Sequence, residues 1–302
     1  MTLGWDKELV SSLGMKLYKF RAFGEYSLLG LTKNQVYFSG FGGFNDPFEF
    51  GTPFTDLRKF FQAVQERLKQ RHAAGDLDES ALQHLMQITS NVTEERINAH
   101  KAVHATIRRN MDRMGILSLS AVPDEILLWS HYARDHTGFC IEFEDLHSNL
   151  SVEGKRINVS GFNVEYKDEF SDLNEPSELV EFYVEMFGRS KHLDDREWFV
   201  KYKALGERLK AQDDVNFAMA VITDKYTPWS YEKEFRYVTR DYIGPVEFNP
   251  RCIKRILFGL RTSDENKAMI MDVCKRTGKQ HVTFWQAEKK MDRYGLELVK
   301  WG

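Results

Sequence analysis

The stretch KYTPWSYEKEFR, residues 225–236, holds the densest set of chemically active side chains in the chain. If residues 231–240 form a β-strand, side chains alternate between its faces, and Glu232, Glu234 and Arg236 share one face. The two carboxylates then lie roughly 6 to 7 Å apart, because each strand residue rises about 3.3 Å. Like charges that share a site raise the pKa of one group unless a cation relieves the repulsion. The pattern predicts either a ligand site or an exposed strand face with a Glu–Arg ion pair.

Outward from this stretch, strand-like and helix-like patterns alternate along the chain. Alternating, β-branched or aromatic runs predict strands at 15–20, 35–39, 115–120, 138–143, 156–166, 244–248, 253–258, 281–286 and 295–300. Apolar residues at helical spacing predict helices in two long insertions, at about 55–114 and 175–222, and shorter helices at 124–134 and 264–276. This order predicts an α+β fold with a mixed, mainly antiparallel β core and long helical insertions, built as a single domain over residues 1–302.

The segment GFGGFNDPFEFG, residues 40–51, predicts a structured loop, because its glycines and its Asn-Asp-Pro run exclude regular structure. In the simplest interpretation Asn45 and Asp46 cap a turn at Pro47, and Glu49 pairs with an arginine. The first helix after this loop is expected to begin at an N-cap, Thr55.

Composition narrows the class of protein. The 302 residues carry a net charge of −3, which gives the whole molecule no footprint for nonspecific binding to nucleic acid or to anionic membranes. Three scattered cysteines without a CxxC pair predict a reducing compartment, no disulfide framework and no zinc site built on cysteine. With neither a signal peptide nor a run of about 18 apolar residues, the sequence predicts a cytoplasmic protein without a membrane partner.

One helical insertion carries a basic stripe that includes Lys101, Arg108, Arg109 and Arg113. Such a stripe is usually a solvated face, and a phosphate-bearing partner is the alternative.

The polar residues also suggest two other kinds of enzyme, a hydrolase and a metal-dependent nuclease. Ser130, His131 and His136 invite a hydrolase interpretation, but adjacency in sequence does not align a hydroxyl with an imidazole, and no GxSxG elbow is present. His131 is better explained as a buried or supporting histidine beside a carboxylate. A metal-dependent nuclease could use the side chains of Asp46, Glu49, His131, Glu232 and Glu234, although the chain contains no HExxH, EF-hand or Walker A motif.

Five blocks of this sequence, taken in order, resemble the bacterial family known as domain of unknown function 2971. They are LYKFR (17–21), FNDPFE (44–49), LLWSHYARDHTGFCIEF (127–143), KYTPWSYEKEFR (225–236) and FNPRCIKRILFG (248–259). This resemblance implies a bacterial protein of a kind often found among mobile elements and defence-like gene neighbourhoods. It implies no settled activity.

A weaker similarity extends to ADP-ribosyltransferases, whose order is an Arg on a first strand, a Ser on a second and a Glu-x-Glu on a late strand. That similarity implies that Arg21 holds the phosphate or ribose of NAD and that Ser39 braces the strand beside the nicotinamide. Glu234 would bond the ribose hydroxyl, and Glu232 would address the acceptor. The sequence departs from that family at Tyr37-Phe38-Ser39-Gly40, where many members have Ser-Thr-Ser, and in its long helices.

The chemistry of NAD cleavage agrees with these residue types. Breaking the nicotinamide bond develops an oxocarbenium-like positive charge, and a fixed carboxylate stabilises that charge more than the ground state. Aromatic rings of Tyr37, Phe44 or Trp229 could stack on the nicotinamide or adenine. The expected NAD cleft is lined by Arg21, Tyr37, Ser39, Phe44, Asn45, Asp46, Glu49, His131, Trp229, Glu232, Glu234 and Arg236, and it contains no metal.

The leading expectation is therefore an ADP-ribosyltransferase-like enzyme that uses NAD as substrate and transfers ADP-ribose to a macromolecular acceptor, protein or nucleic acid, as a toxin or phage-defence effector. NAD hydrolysis is the closely related outcome. A divalent-metal-dependent nuclease and a non-catalytic immunity or sensor protein with a partner protein are the alternatives.

Overall fold

A computed structural model describes residues 14–51, 56–171 and 217–302. These residues divide into two compact units. The sheet unit contains residues 14–49, 112–168 and 225–302, and the helical unit contains residues 50–51, 56–111, 169–171 and 217–224. The single domain over residues 1–302 stays a prediction.

Most described helices and strands follow the sequence patterns, but the strand predicted at 156–166 is replaced by three short strands. In chain order they are β1 (Lys16–Arg21), α1 (Glu25–Lys33), β2 (Gln35–Phe38), α2 (Leu57–Ala73), α3 (Glu79–Ser90), α4 (Glu94–Met111), β3 (Gly115–Ser120), α5 (Ile126–Tyr132), β4 (Phe139–Glu144), β5 (Leu150–Val152), β6 (Lys155–Arg156), β7 (Ser160–Asn163), β8 (Glu165–Lys167), β9 (Asp224–Tyr226), β10 (Glu234–Thr239), β11 (Gly244–Phe248), β12 (Ile253–Phe258), α6 (Asp264–Arg276), β13 (Thr283–Lys289) and β14 (Leu296–Lys300). Residues 217–223 are also helical, and the rest of the insertion predicted at 175–222 lies outside the described residues.

The strands of the sheet unit confirm the predicted mixed, mainly antiparallel core. An eight-stranded sheet has the order β14-β13-β12-β4-β1-β3-β10-β7, and a four-stranded sheet has the order β2-β11-β5-β6. In the larger sheet the β12–β13 pair is parallel, and the other neighbouring pairs are antiparallel. Ser120 of β3 pairs with Tyr18 on one side and with Glu234 on the other. This register places the start of β10 two strands away from the cationic end of β1.

The predicted strand 231–240 needs correction at its start. Residues Thr227–Glu232 form a 3-10 helix that begins with Pro228, and the strand itself runs from Glu234 to Thr239. Between them Lys233 has a φ of 43°, in the left-handed region that a strand cannot contain. Glu232 is therefore not on the face of β10 as predicted. It reaches the same place from the 3-10 helix instead.

Both faces of β10 are buried, so it is not the exposed strand that the alternation allowed. All six residues from Glu234 to Thr239 are buried. The core of the sheet unit contains side chains of both sheets, and the rings of Phe143 in β4 and Phe248 in β11 meet edge to face at 5.3 Å. Leu31 of α1 and Ile270 of α6 belong to this same core.

The helical unit contains a core of its own, formed by Val64, Leu68, Leu77 and Leu85 of α2, α3 and their connection. Helix α2 is capped by Asp56, whose side chain accepts the backbone N–H of Arg58 at 2.9 Å. The predicted cap, Thr55, lies outside the described residues.

Helices α3 and α4 are separate elements within the insertion predicted at about 55–114. On the basic stripe, Lys101 and Arg109 are exposed. Within the described ranges, no helix combines the length and the apolar character needed to cross a membrane.

Gly138, which precedes β4, lies against the backbone at the end of β1. A Cβ at this position would lie 2.1 Å from the carbonyl oxygen of Arg21 and 3.0 Å from that of Ala133. We expect Gly138→Ala to lower the free energy of unfolding by about 1–3 kcal/mol, because both obstacles are backbone. Gly42→Ala is the matched control, since a Cβ there meets nothing within 4 Å. Urea denaturation of both variants checks this, and equal midpoints would contradict the tight packing at Arg21.

Candidate functional site

The sheet unit contains a cavity of about 250 Å³ that collects most of the predicted site residues. Its floor is built from β1 and β3, one side from the loop after β2, and the other from the segment between β9 and β10. The predicted residues that line it are Arg21, Tyr37, Ser39, Phe44, Asn45, Glu49, Glu232 and Glu234. Early and late parts of the chain therefore meet at one hollow.

Four predicted site residues do not line this cavity. Arg236 is fully buried behind it, and the Asp46 carboxylate accepts the backbone N–H of Phe48 at 2.9 Å, as expected for a turn cap. His131 is exposed, which contradicts burial, the first of its two expected roles, and its ring centre lies 6.4 Å from that of Trp229. The binding roles of these four residues stay predictions.

Lys225 is the centre of the charged part of the site. Its Nζ lies 2.5 Å from Glu232 Oε2, 2.8 Å from Glu234 Oε2 and 3.5 Å from Glu49 Oε1. Only 3% of its side chain is exposed. The strand alternation at 231–240 did not identify Lys225, because this residue lies before that segment. Its position at the start of the quoted stretch, seven residues before Glu232, was the available signal.

Arg236 binds the same cluster from behind. Its Nε donates to Glu234 Oε1 at 2.8 Å, and its Nη2 donates to Glu234 Oε2 at 3.1 Å and also to Glu49. The predicted pairing of Glu49 with an arginine is thus present. Three carboxylates share two cations here, which leaves one excess negative charge if all are ionised. Glu49 Oε2 is buried and has no hydrogen-bond partner among the described residues.

The carboxyl groups of Glu234 and Glu49 differ in proton affinity. Burial raises the pKa of Glu234, but the charges of Arg236 and Lys225 outweigh it and hold that pKa well below its usual range. At Glu49 the cost of burying the anion, together with the charges of Glu234 and Glu232, outweighs the charges of Arg236 and Lys225. The pKa of Glu49 is therefore raised to about 7. Glu234 is therefore a permanent anion, whereas Glu49 exchanges a proton near neutral pH.

Hydrogen bonds with uncharged side chains fix the orientation of the acidic segment. The Tyr132 hydroxyl donates to Glu232 Oε1 at 2.6 Å, and Ser120 Oγ donates to the Glu232 carbonyl at 2.6 Å. The backbone N–H of Glu234 donates to the Tyr166 hydroxyl at 2.8 Å. Because these partners come from α5, β3 and β8, the sequence order gave no sign of Tyr132 or Tyr166.

Lys19 and Arg21 form a cationic wall on the same cavity. They stand two residues apart on β1, so both point to one side of the sheet. Lys19 Nζ donates to the carbonyl of Ser118 at 2.6 Å. Burial, followed by the neighbouring charge of Arg21, lowers the pKa of Lys19 to about 7. The cavity thus has acidic groups on one side and two basic groups on another.

The carboxylates of the site are poorly arranged for a metal ion. Among the described residues, no three His, Cys, Asp or Glu side chains form a group that could hold one. Lys225 occupies the position between Glu232 and Glu234 that a bridging cation would need. The metal-dependent nuclease remains a prediction that this donor set does not favour.

Comparison with known proteins gives a similarity to one family over part of the chain, and no activity. The model of a family described as "Protein of unknown function (DUF2971)" matches residues 128–237, little more than a third of the chain. This match supports the resemblance seen in the sequence, and its range includes most of α5, Lys225 and the two carboxylates of the quoted stretch. No curated protein and no solved structure matches the chain.

Removal of Lys225 should destabilise the protein strongly. We expect Lys225→Met to cost about 3–5 kcal/mol in the free energy of unfolding, because it leaves buried carboxylates without their shared partner. Lys167→Met is the control, since the Lys167–Glu165 pair at 2.8 Å is partly exposed and should contribute at most about 1 kcal/mol. Urea denaturation at pH 7.5 checks both variants, and similar small losses would refute the central role of Lys225.

Glu49 should make stability depend on pH. Its pKa is raised from 4.5 to about 7, so between these values the folded protein keeps a proton that the unfolded chain has lost. Its contribution is therefore complete below about pH 4.5 and is lost as the pH rises through 7. We expect the stability of wild type minus that of Glu49→Gln to fall by about 1–3 kcal/mol between pH 5 and pH 8.

Thermal and urea unfolding at several pH values measure this difference. Glu165→Gln is the control, because this exposed carboxyl should leave the difference from wild type constant across the same range. A constant difference for Glu49→Gln as well would mean that Glu49 does not titrate near neutral pH.

Proposed function

We propose that the cavity binds NAD and cleaves the bond between nicotinamide and ribose, with transfer of ADP-ribose to an acceptor or to water. One observation carries this proposal: Arg21, Ser39 and Glu234 come from three separate parts of the chain and line one cavity. Glu232 lines it too. The order of an early arginine, a serine and a late Glu-x-Glu thus corresponds to a spatial group.

The charges of the cavity match those of NAD. This molecule carries a pyrophosphate with negative charge and a nicotinamide ring with positive charge. Lys19 and Arg21 can bind the pyrophosphate, while Glu232 and Glu234 face the cationic end.

The size of the cavity indicates which part of NAD it holds. About 250 Å³ is slightly below the roughly 300–1,000 Å³ of small-molecule pockets. It is suited to the nicotinamide riboside half, with the adenine placed outside. Tyr37 is half-exposed at the cavity, and Phe44 also lines it, so either ring could stack on an aromatic group of the ligand.

The reaction needs no proton on the leaving group. As the C1′–N bond breaks, its electron pair goes to nicotinamide, which leaves neutral, and positive charge develops on the ribose. Glu234 is ionised and held by Arg236 and Lys225, so it can stabilise that charge without reorganising. Glu232 can take the proton from the water or acceptor hydroxyl that attacks C1′.

The acceptor and the cellular setting of this activity are those that the sequence resemblances imply. We propose a macromolecular acceptor, protein or nucleic acid, and a role as a toxin or phage-defence effector in the bacterial cytoplasm. The three cysteines are free and buried, which agrees with a reducing compartment.

Release of nicotinamide from NAD tests the proposed activity. We expect the wild-type protein to release nicotinamide in a chromatographic assay and Glu234→Gln to be slower by roughly 10²–10³-fold, the usual effect of losing one transition-state contact. Arg21→Ala should raise the NAD concentration needed for half-maximal rate. Glu165→Gln is the matched control, an exposed carboxyl outside the cavity that should retain full activity.

Folding of each variant must be verified by circular dichroism, because Glu234 belongs to the buried ion cluster. No nicotinamide from wild type, with acceptor-containing bacterial lysate present, would refute NAD cleavage. Equal rates for wild type and a folded Glu234→Gln variant would refute the role of that carboxylate.

A further inference from the structure

The sheet unit has a second, larger groove of about 1,000 Å³ that shares no lining residue with the candidate site. One side is the β13–β14 hairpin with its turn, residues 286–296, and the other includes Ile126, His136 and Arg261. Trp301, near the end of the chain, closes one edge. The proposed NAD chemistry uses none of these residues.

Four cationic side chains without a carboxylate partner among the described residues line this groove. Arg261, Lys289, Lys290 and Arg293 line it, and in the described parts of the chain none of them has a carboxylate within ion-pair distance. Two acidic residues, Glu288 and Asp292, also line it. The groove therefore carries excess positive charge in a protein whose net charge is −3. An anionic ligand would relieve the repulsion among these cations.

Large apolar and aromatic side chains stand beside the cations. Tyr294 is fully exposed at the hairpin turn, and Met291 is nearly so. Trp301 has one face occupied by Lys267, whose Nζ lies 3.8 Å from the ring centre. Exposed aromatic rings next to phosphate-binding cations provide stacking surfaces for nucleic acid bases.

Two buried acceptors in the groove wall lack hydrogen-bond partners. Both His136 and Gln286 are only 8% exposed, and neither His136 Nδ1 nor Gln286 Oε1 has a partner within the part of the chain that the structure describes. The other polar atom of each side chain is already engaged. His136 Nε2 lies 3.2 Å from Ser130 Oγ, and Gln286 Nε2 donates to the carbonyls of Gly259 and Ala287.

The hydrogen bonds of Ser130 decide which His136 nitrogen accepts. Ser130 Oγ donates to the Ile126 carbonyl at 3.1 Å, so it is available to accept the Nε2–H of His136. His136 Nδ1 then carries a lone pair that needs a donor. Ligand N–H groups, such as the edges of unpaired bases, can supply donors to this nitrogen and to Gln286 Oε1 after a small side-chain shift.

We propose that this groove binds single-stranded nucleic acid. Its cations would contact phosphates, Tyr294 would stack on a base, and His136 and Gln286 would accept base N–H groups. A duplex hides both the faces and the pairing edges of its bases, so it would use only the cations. The proposal is independent of NAD cleavage, because binding needs neither NAD nor the residues of the first cavity.

Fluorescence anisotropy with a labelled 12-nucleotide single strand of mixed sequence, without NAD, tests the groove. We expect binding at 50 mM salt, at least ten-fold weaker binding of the corresponding duplex, and a loss of roughly 5- to 100-fold for Tyr294→Ala. Arg261→Gln with Arg293→Gln should reduce the slope of log affinity against log salt by about 1.4, or 0.7 for each phosphate contact.

Matched control variants are available on the same unit. Tyr26→Ala removes an equally exposed tyrosine outside the groove, and Lys155→Gln with Arg156→Gln removes two exposed cations from β6. Both controls should bind like wild type. The proposal is overturned by no binding at 50 mM salt, by equal affinity for duplex, by unchanged binding of Tyr294→Ala, or by equal losses in the controls.

Discussion

The bond on which the site depends is the three-way contact of Lys225 with Glu49, Glu232 and Glu234, at 3.5, 2.5 and 2.8 Å. Each carboxylate belongs to a different segment: the loop after β2, the 3-10 helix, and β10. A buried lysine with no partner would be very costly, and so would each of these carboxylates alone. The ammonium group therefore fixes three segments relative to one another, and Arg236 closes the cluster from behind.

The cluster and the cationic wall of the cavity influence each other through charge. The carboxylates Glu234 and Glu232 favour the protonated form of Lys19, while burial and Arg21 oppose it, so its pKa lies near 7. Glu49 titrates in the same range for the opposite reason, because burial and its acidic neighbours disfavour its anion. Lys19 and Glu49, which line the same cavity, thus both titrate near neutral pH. A ligand that carries both charges, as NAD does, would settle both protonation states when it binds.

Local sequence patterns predicted most helices and strands. They could not predict the contacts between residues that are distant in sequence, and these contacts form the site. The alternation in β1 and the apolar run in β3 gave both strands with nearly correct bounds, because periodicity is a local property. The same rule failed at Glu232, since one left-handed residue, Lys233, ends the extended run. Lys225 and Tyr132 were missed because their partners are set by folding. The cavity shared by Arg21 and Glu234 was foreseen only through an ordered resemblance, which no spacing rule could supply.

Helix α5 connects the two cavities of the sheet unit physically. Leu128 and Tyr132 line the first cavity, whereas Ile126 lines the second groove and Ser130 supports His136 there. Positions two apart on a helix differ by about 200°, so these pairs occupy opposite faces of one seven-residue helix. Buried Trp129 holds the helix to β1, because its ring meets that of Phe20 edge to face at 5.1 Å. Phe20 lies between Lys19 and Arg21 on β1. A ligand that shifts this helix from one side must therefore act on groups that face the other.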